Sequence, residues 1–434
     1  MKVSSGRFTA KRNRMPRSVQ VLAPAIGLSN FGDGLAITAL LLDLHDRKVG
    51  GAAIAAVFLA MSVPNVVLVG LAGRVADRLA IRGVLLSAGT ALIFVCVTMA
   101  YVEQTVLVIA LLAMLAGIMA LAVPATMKAV ADASPADLLS RAQARMAMMG
   151  SMGFLLGPAA GGVLMEALGL RTVLLVDAVT FLALPLAALF LPGRTDKVGA
   201  APTSGPGGNL PRSGLLPGLR AIAAFPVLMR VIGLGVVLTI GLQVTNVVEI
   251  FFIRDDLGGG AVAFGVLTMA WSFGQIVGAW AAGNFLAKRS PAPTAFLSTF
   301  VMAVLTISVV AIDDLWVLFV LLILNGLAYG GFGVARQTLL AKSISTEVRG
   351  SAFAAHVALL NVATTAALLL GGAGLTLIAP RTVFGIVGAI TLLSVLTIQP
   401  WKWSLPGGAN GLLKPGVEVG RTPGLDDDDV QEGR

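Results

Sequence analysis

One cysteine, two histidines and two tyrosines are all that 434 residues supply of those types, and charged side chains make up only 12% of the chain. The lone Cys96 excludes a disulfide framework and a multi-cysteine metal centre, and His45 with His356 are too few for a histidine-rich one. No lysine follows a glycine, which removes the phosphate-binding Gly-Lys-Ser/Thr loop and any ATP site built on it. His-Glu-x-x-His and Gly-x-Ser-x-Gly are missing too, so the chain does not read as an enzyme and no metal or cofactor is expected. A soluble domain carries about 25% charged residues. With half that share, 57% hydrophobic residues and a mean hydropathy of +0.90, this chain belongs in a bilayer. The net charge of +9 is then a matter of topology, and no nucleic-acid partner is expected.

What is present is a series of apolar runs, at 19–42, 51–72, 83–101, 105–127, 146–168, 172–191, 229–251, 261–286, 292–312, 315–337, 351–378 and 382–400. About twenty such residues span the roughly 30 Å hydrocarbon core. Unpaired backbone cannot face lipid, so each run must be a helix. The expected fold is an all-α membrane protein of twelve transmembrane helices, arranged as two pseudo-symmetric six-helix bundles. Five segments follow: a basic tail at 1–18, a first bundle at 19–191, a Pro-, Gly- and Ser-rich linker at 192–228, a second bundle at 229–400, and a tail at 401–434. That last tail ends in Asp426-Asp427-Asp428-Asp429 and reads as disordered and solvated. With both termini cytoplasmic, all but Arg47, Lys48, Arg171, Arg254 and Arg381 of the 31 Lys and Arg fall on the inner side. Lys11-Arg12-Asn13-Arg14 before the first run resembles a signal peptide's start, but the run is too long for one and holds Asp33, so it is read as a retained helix.

Sliding the sequence against itself by about 210 positions superposes Gly161-Gly162 on Gly371-Gly372 and Arg171-Thr172-Val173 on Arg381-Thr382-Val383. The same shift sets Asp33 against Gln243 and Asn65 against Gln275. Transporters built from such repeats hold substrate near the midplane between them.

Asp33 is the sharpest candidate for chemistry. It lies within the first run, in Asn30-Phe31-Gly32-Asp33-Gly34, and an intramembrane acid faces a cavity or a partner. There it can carry a proton or pair with a cationic substrate. Asp177 and Glu249 are weaker candidates, each placed within roughly one to two turns of the outer face. Lys128 and Arg336 are expected to snorkel to the inner interface, and His356 to be interfacial. The polar residues expected to line the cavity are Asn30, Asn65, Gln243, Asn246, Gln275, Asn325 and Asn361.

Two motifs remain. Gly73-Arg74-Val75-Ala76-Asp77-Arg78-Leu79-Ala80-Ile81-Arg82 joins the second and third runs, and Gly153-Phe154-Leu155-Leu156-Gly157-Pro158-Ala159-Ala160-Gly161-Gly162 lies in the fifth. The first resembles the Gly-x-x-x-Asp-Arg-x-Gly-Arg signature between helices 2 and 3 of the major facilitator superfamily. Gly73, Asp77, Arg78 and Arg82 match it, with Ala80 and Ile81 departing from it. By that resemblance these residues form a cytoplasmic gate that docks at the start of helix 11. The second resembles the helix-5 signature of the family's antiporters, which implies a hinge and seal at Gly153, Gly157, Pro158, Gly161 and Gly162. Val348-Arg349-Gly350 before helix 11 and the Asp-Gly pair in helix 1 are similar to the bacterial efflux branch that exports siderophores and macrolides. Many proton-coupled drug antiporters carry an arginine in helix 4. The 111–117 segment here has none, which puts the weight of coupling on Asp33.

The resemblance implies a monomeric secondary transporter of the bacterial inner membrane. It would export a small amphipathic molecule, drug-, macrolide- or siderophore-like, by alternating access, its partners being the lipid bilayer and that substrate. A proton gradient would drive it, since a charge crossing 100 mV gains about 2.3 kcal/mol. An uptake symporter for a polar nutrient is the nearest alternative, and a non-transporting sensor of the same fold is the next.

Overall fold

The computed structural model describes residues 15–68, 71, 75, 79–135, 138–191, 215–286, 290–374 and 378–398. These form helices joined by short turns, with no strand among the described residues. Ten segments are long and apolar enough to cross a membrane. One of them, 141–189, folds back on itself, and the shorter apolar helix Gly51–Val67 brings the crossings to twelve. In chain order they are α1 (Arg17–Asp46), α2 (Gly51–Val67), α3 (Ile81–Ala100), α4 (Thr105–Ala133), α5 (139–168), α6 (170–189), α7 (Pro226–Phe251), α8 (Ala261–Leu286), α9 (Pro291–Ser308), α10 (Leu315–Ser343), α11 (Thr346–Gly374) and α12 (Pro380–Ile398).

Local sequence sets the ends. Pro226 and Pro291 start α7 and α9, where a missing N–H costs nothing. Asp314 caps α10 by accepting hydrogen bonds from the backbone N–H groups of Trp316 and Val317 at 2.8 and 3.1 Å. Between α5 and α6 the chain reverses at Gly169 alone, whose φ of 74° is rarely open to a residue with a side chain. The internal repeat is visible in the helices themselves. α4 spans 105–133 and α10 spans 315–343, and α3 starts at 81 where α9 starts at 291, so one shift of 210 relates both pairs.

The segment read as a linker contains a short helix, Leu215–Ala223. Its Ile222 is buried in the second half, and Gly218 lies so close to α11 that a Cβ there would overlap the Ser351 carbonyl. Gly218 and Ile222, four residues apart, form the buried face that holds this short helix against the second half, while Leu216 and Leu219 stay exposed.

The two halves meet unevenly. Near the face opposite the two ends of the bundle, one buried apolar cluster runs through both halves, including Leu40, Leu44, Ile54, Val247, Phe252, Phe264 and Leu368. Towards the face where α1 starts and α12 ends, each half has its own cluster. One surrounds Leu22, Leu92 and Phe181, and the other Leu228, Phe332 and Leu340.

Polar contacts reinforce the joined face. Arg254 donates to Asp46 at 2.5 Å, His45 Nε2 lies 3.1 Å from Asp255, and Glu166 accepts from the Val262 N–H at 3.4 Å. A π-helical turn, Phe252–Asp256, extends α7 and presents Arg254 and Asp255 to the end of α1. The other arginines of this face are engaged as well. Arg47 pairs with Asp43 at 2.7 Å, Arg381 with Asp313 at 2.6 Å, and Arg171 lies 4.0 Å above the Tyr101 ring.

Candidate functional site

α1 and α5 lie backbone to backbone. Gly153, Gly157 and Gly161 recur every four residues along one side of α5, facing α1. A Cβ on Gly157 would stand 2.6 Å from the Phe31 carbonyl oxygen and 3.0 Å from Gly34 Cα, and one on Gly161 would stand 2.6 Å from the Leu35 carbonyl oxygen. On Gly153 it would overlap the Gly27 carbonyl. Small residues at this spacing let helices approach until their backbones touch. Asn30, within the same seam, donates its amide to the Gly150 carbonyl at 3.2 Å. The other side of α5 meets the second half, where the Pro158 carbonyl abuts Gly265 of α8 and Gly162 abuts the Ala261 carbonyl. α5 therefore stands between α1 and α8, where the halves touch. A second stripe, Gly274 and Gly278 of α8 against Gly326 and Gly330 of α10, ties the second half together in the same way. The same small-x-x-x-small spacing is legible in that sequence, as it is in α5.

The seam positions the acids. Gly32 has no side chain, which admits α6: a Cβ there would overlap Asp177 Oδ1 and Thr180 Oγ1. Asp177 is 1% exposed, and it accepts hydrogen bonds from Thr180 Oγ1 at 3.2 Å and from Cys96 Sγ at 3.4 Å. Asp33, the next residue along α1, is half-buried and near enough to Asp177 for the two charges to act on each other. Three helices, α1, α3 and α6, thus bring two carboxyls, a thiol and a hydroxyl into one cluster inside the first half. Asp177 was read as lying close to the outer face. Thr180 is one turn away, but Cys96 lies 81 residues away in the chain, and no local pattern marks it.

The other expected site residues scatter. Gln243 Oε1 accepts from Asn246 Nδ2 at 3.2 Å, one turn away on α7, and both are half-buried. Asn325 of α10 donates to Thr306 Oγ1 of α9 at 3.2 Å, so it bridges two helices within the second half. Asn65 is exposed and donates to the Met61 carbonyl of its own helix at 2.7 Å. Gln275 and Asn361 are half-buried, the former with its backbone carbonyl against Gly330. Gly73, Asp77 and Arg78 lie outside the described residues, and Arg82 sits half-buried in the first turn of α3.

Two readings of the second half are corrected. His356 is 4% exposed rather than interfacial, and Arg336 does not snorkel to the interface but folds against α7, beside Gly235. Depth counted along a helix axis says nothing about a side chain that turns sideways into a neighbour.

A family model described as Major Facilitator Superfamily matches residues 22–252 and 231–408. No curated protein matches the sequence. Many solved structures share the fold. The nucleoside transporter NupG is 15% identical, with 88% of this chain and 98% of that chain covered and a TM-score of 0.70. A bacterial homolog of the human lysosomal transporter Spinster, inward-facing and unoccupied, is 14% identical over 88% of this chain and 95% of that one, with a TM-score of 0.65. A POT family transporter in complex with a thioalcohol-conjugated peptide is 12% identical over 90% and 96%, with a TM-score of 0.68.

Proposed function

The chain belongs to the major facilitator superfamily, and from that membership we propose that it exports a small amphipathic molecule across the bacterial inner membrane in exchange for protons. The observation that carries the reading is the Asp33–Asp177 pair, set inside the first half beside the α1–α5 seam. Two carboxylates within electrostatic reach of each other inside the bundle repel, and a proton taken up by either relieves the repulsion. Releasing that proton to one face and taking it from the other, in step with the movement of the halves, is what coupling requires. The antiporter-like stripe of α5 supports export, because it seats the acid-bearing helix directly on the helix that meets α8. The charge distribution supports cytoplasmic termini. The joined face is then the outer one, and the arrangement described is closed to the outside.

The dye experiment for this reading uses proteoliposomes loaded with a pH-sensitive dye and offered lipophilic cations, macrolides and siderophores. Antiport predicts that a transported compound moves the dye; transport of a compound with no proton movement contradicts it.

Alternating access also requires the outer seam to open. Arg254–Asp46 and His45–Asp255 must part, while the apolar cluster beneath them sets most of the cost. A partly exposed ion pair contributes about 0.2–1 kcal/mol, so Arg254→Ala is expected to raise outward opening roughly 1.4- to fivefold. The readout is the rate at which an impermeant maleimide labels Val262→Cys from outside, Cys96 being buried and the only native thiol. The swap Asp46→Arg with Arg254→Asp should return the rate towards the parent, and an unchanged rate in Arg254→Ala would exclude the pair from the gate.

A further inference from the structure

The second half holds an intramembrane cation that the carboxyl pair does not use. Arg336 lies on α10 with its Nη1 2.9 Å from where a Cβ on Gly235 of α7 would stand, and its guanidinium carbon is 5.2 Å from the centre of the Phe332 ring. Its Nε is buried without a hydrogen-bond partner, and no carboxylate among the described side chains pairs with it. His356 of α11 is within electrostatic reach of Arg336, and its buried Nδ1 also lacks a partner. Tyr329, two turns before Arg336, is likewise within electrostatic reach of the guanidinium. Gly333 lies between them on the same side of α10 and meets nothing within 4 Å. That side is not the lipid side. The exposed Val317, Val320, Leu324 and Leu327 mark the lipid face, about 120° or more around the helix from Gly333. The donors therefore lie towards a side of α10 turned away from lipid and not filled by packing at Gly333, and an intramembrane charge in such a place marks a substrate or ion path by default.

We infer that Arg336, with His356 and Tyr329, forms an anion-accepting subsite in the second half, and that the transported molecule carries a carboxylate. The planar fork of arginine takes a carboxylate through two parallel N–H···O bonds. One guanidinium balances one negative charge, which suits a monoanion better than a phosphate dianion. The subsite and the carboxyl pair divide the work: the second half receives the acidic end of the substrate, and the first half stays free for the proton.

The inference rests on the chain being a transporter of an amphipathic molecule, but not on direction or coupling, so equilibrium binding tests it separately. The full chain in lipid nanodiscs is titrated with 4-phenylbutyrate, with its amide and with 4-phenylbutylamine. Binding is followed by tryptophan fluorescence, since the Trp271 and Tyr329 rings lie 5.4 Å apart. The acid should bind about tenfold or more tighter than the amide, and Arg336→Gln should erase that preference while leaving amide binding unchanged. Arg336→Lys, which keeps the charge but loses the fork, should retain part of the preference; it carries the test if Arg336→Gln does not fold. Equal affinity for acid and amide, preference for the amine, no binding of the acid, or an unaltered preference in the Arg336 variants overturns the subsite. Intact acid binding with no proton exchange in the dye experiment would instead contradict the coupled-export reading and leave the subsite standing.

Discussion

Asp33→Asn is expected to abolish substrate-driven proton movement, lowering it by about 100-fold or more, or ~2.7 kcal/mol in the coupled step. Asparagine keeps the size and hydrogen bonding of the side chain but cannot hold or release the proton. It also removes the charge that acts on Asp177, so Asp177 alone remains to titrate, 1% exposed and held by Thr180 and Cys96. Substrate-for-substrate exchange needs no net proton transfer and should survive in the variant, which separates lost coupling from lost folding. Asp177→Asn should impair coupling as well, because it removes the charge that acts on Asp33. Cys96→Ala, which removes one weak donor at 3.4 Å, should change coupling far less. Full proton exchange in Asp33→Asn would place coupling elsewhere and leave Asp33 a structural residue.

Gly157→Val should cost transport about 10- to 100-fold and lower the melting temperature of the purified protein. The groups a new Cβ would meet are backbone, the Phe31 carbonyl oxygen at 2.6 Å, Gly34 Cα at 3.0 Å and Leu35 N at 3.0 Å, and none can rotate away. α1 and α5 would have to separate, and overpacking of this kind costs about 1–3 kcal/mol. The separation would also move Gly32, and with it the fit of α1 against Asp177 and Thr180. Folding and coupling should therefore fail together. Gly157→Ala should lie between the parent and valine. Gly233→Ala, where nothing stands within 4 Å, should be silent. A stable, fully active Gly157→Val would mean that the α1–α5 seam does not hold the site.

Much of this molecule is legible in its sequence because the bilayer simplifies the problem. Backbone groups must be satisfied within each segment, so long apolar runs are helices, and a single shift of 210 recovers both α4–α10 and the starts of α3 and α9. The α5 stripe was legible because its spacing is local. Asp33 stood out because an acid in an apolar run has few bland explanations. Its partner did not, since Asp177 is 144 positions away and the contact exists only because Gly32 lets α6 come close. Asn325 and Asn65 show the converse. A polar side chain in a helix satisfies itself on whatever lies nearest, Thr306 in one case and its own helix's Met61 carbonyl in the other, and composition does not say which. Arg336 and His356 were misplaced because position along a helix axis was taken for the position of the charge.

The most direct test of coupled export is accumulation of an identified substrate in membrane vesicles of known sidedness under an imposed pH gradient. Proton antiport predicts that inside-out vesicles with an acidic lumen concentrate the compound, that an uncoupler discharges it, and that Asp33→Asn does neither. Accumulation in right-side-out vesicles with an alkaline lumen would contradict the account and make the protein an uptake symporter, and accumulation indifferent to the uncoupler would remove the proton from it.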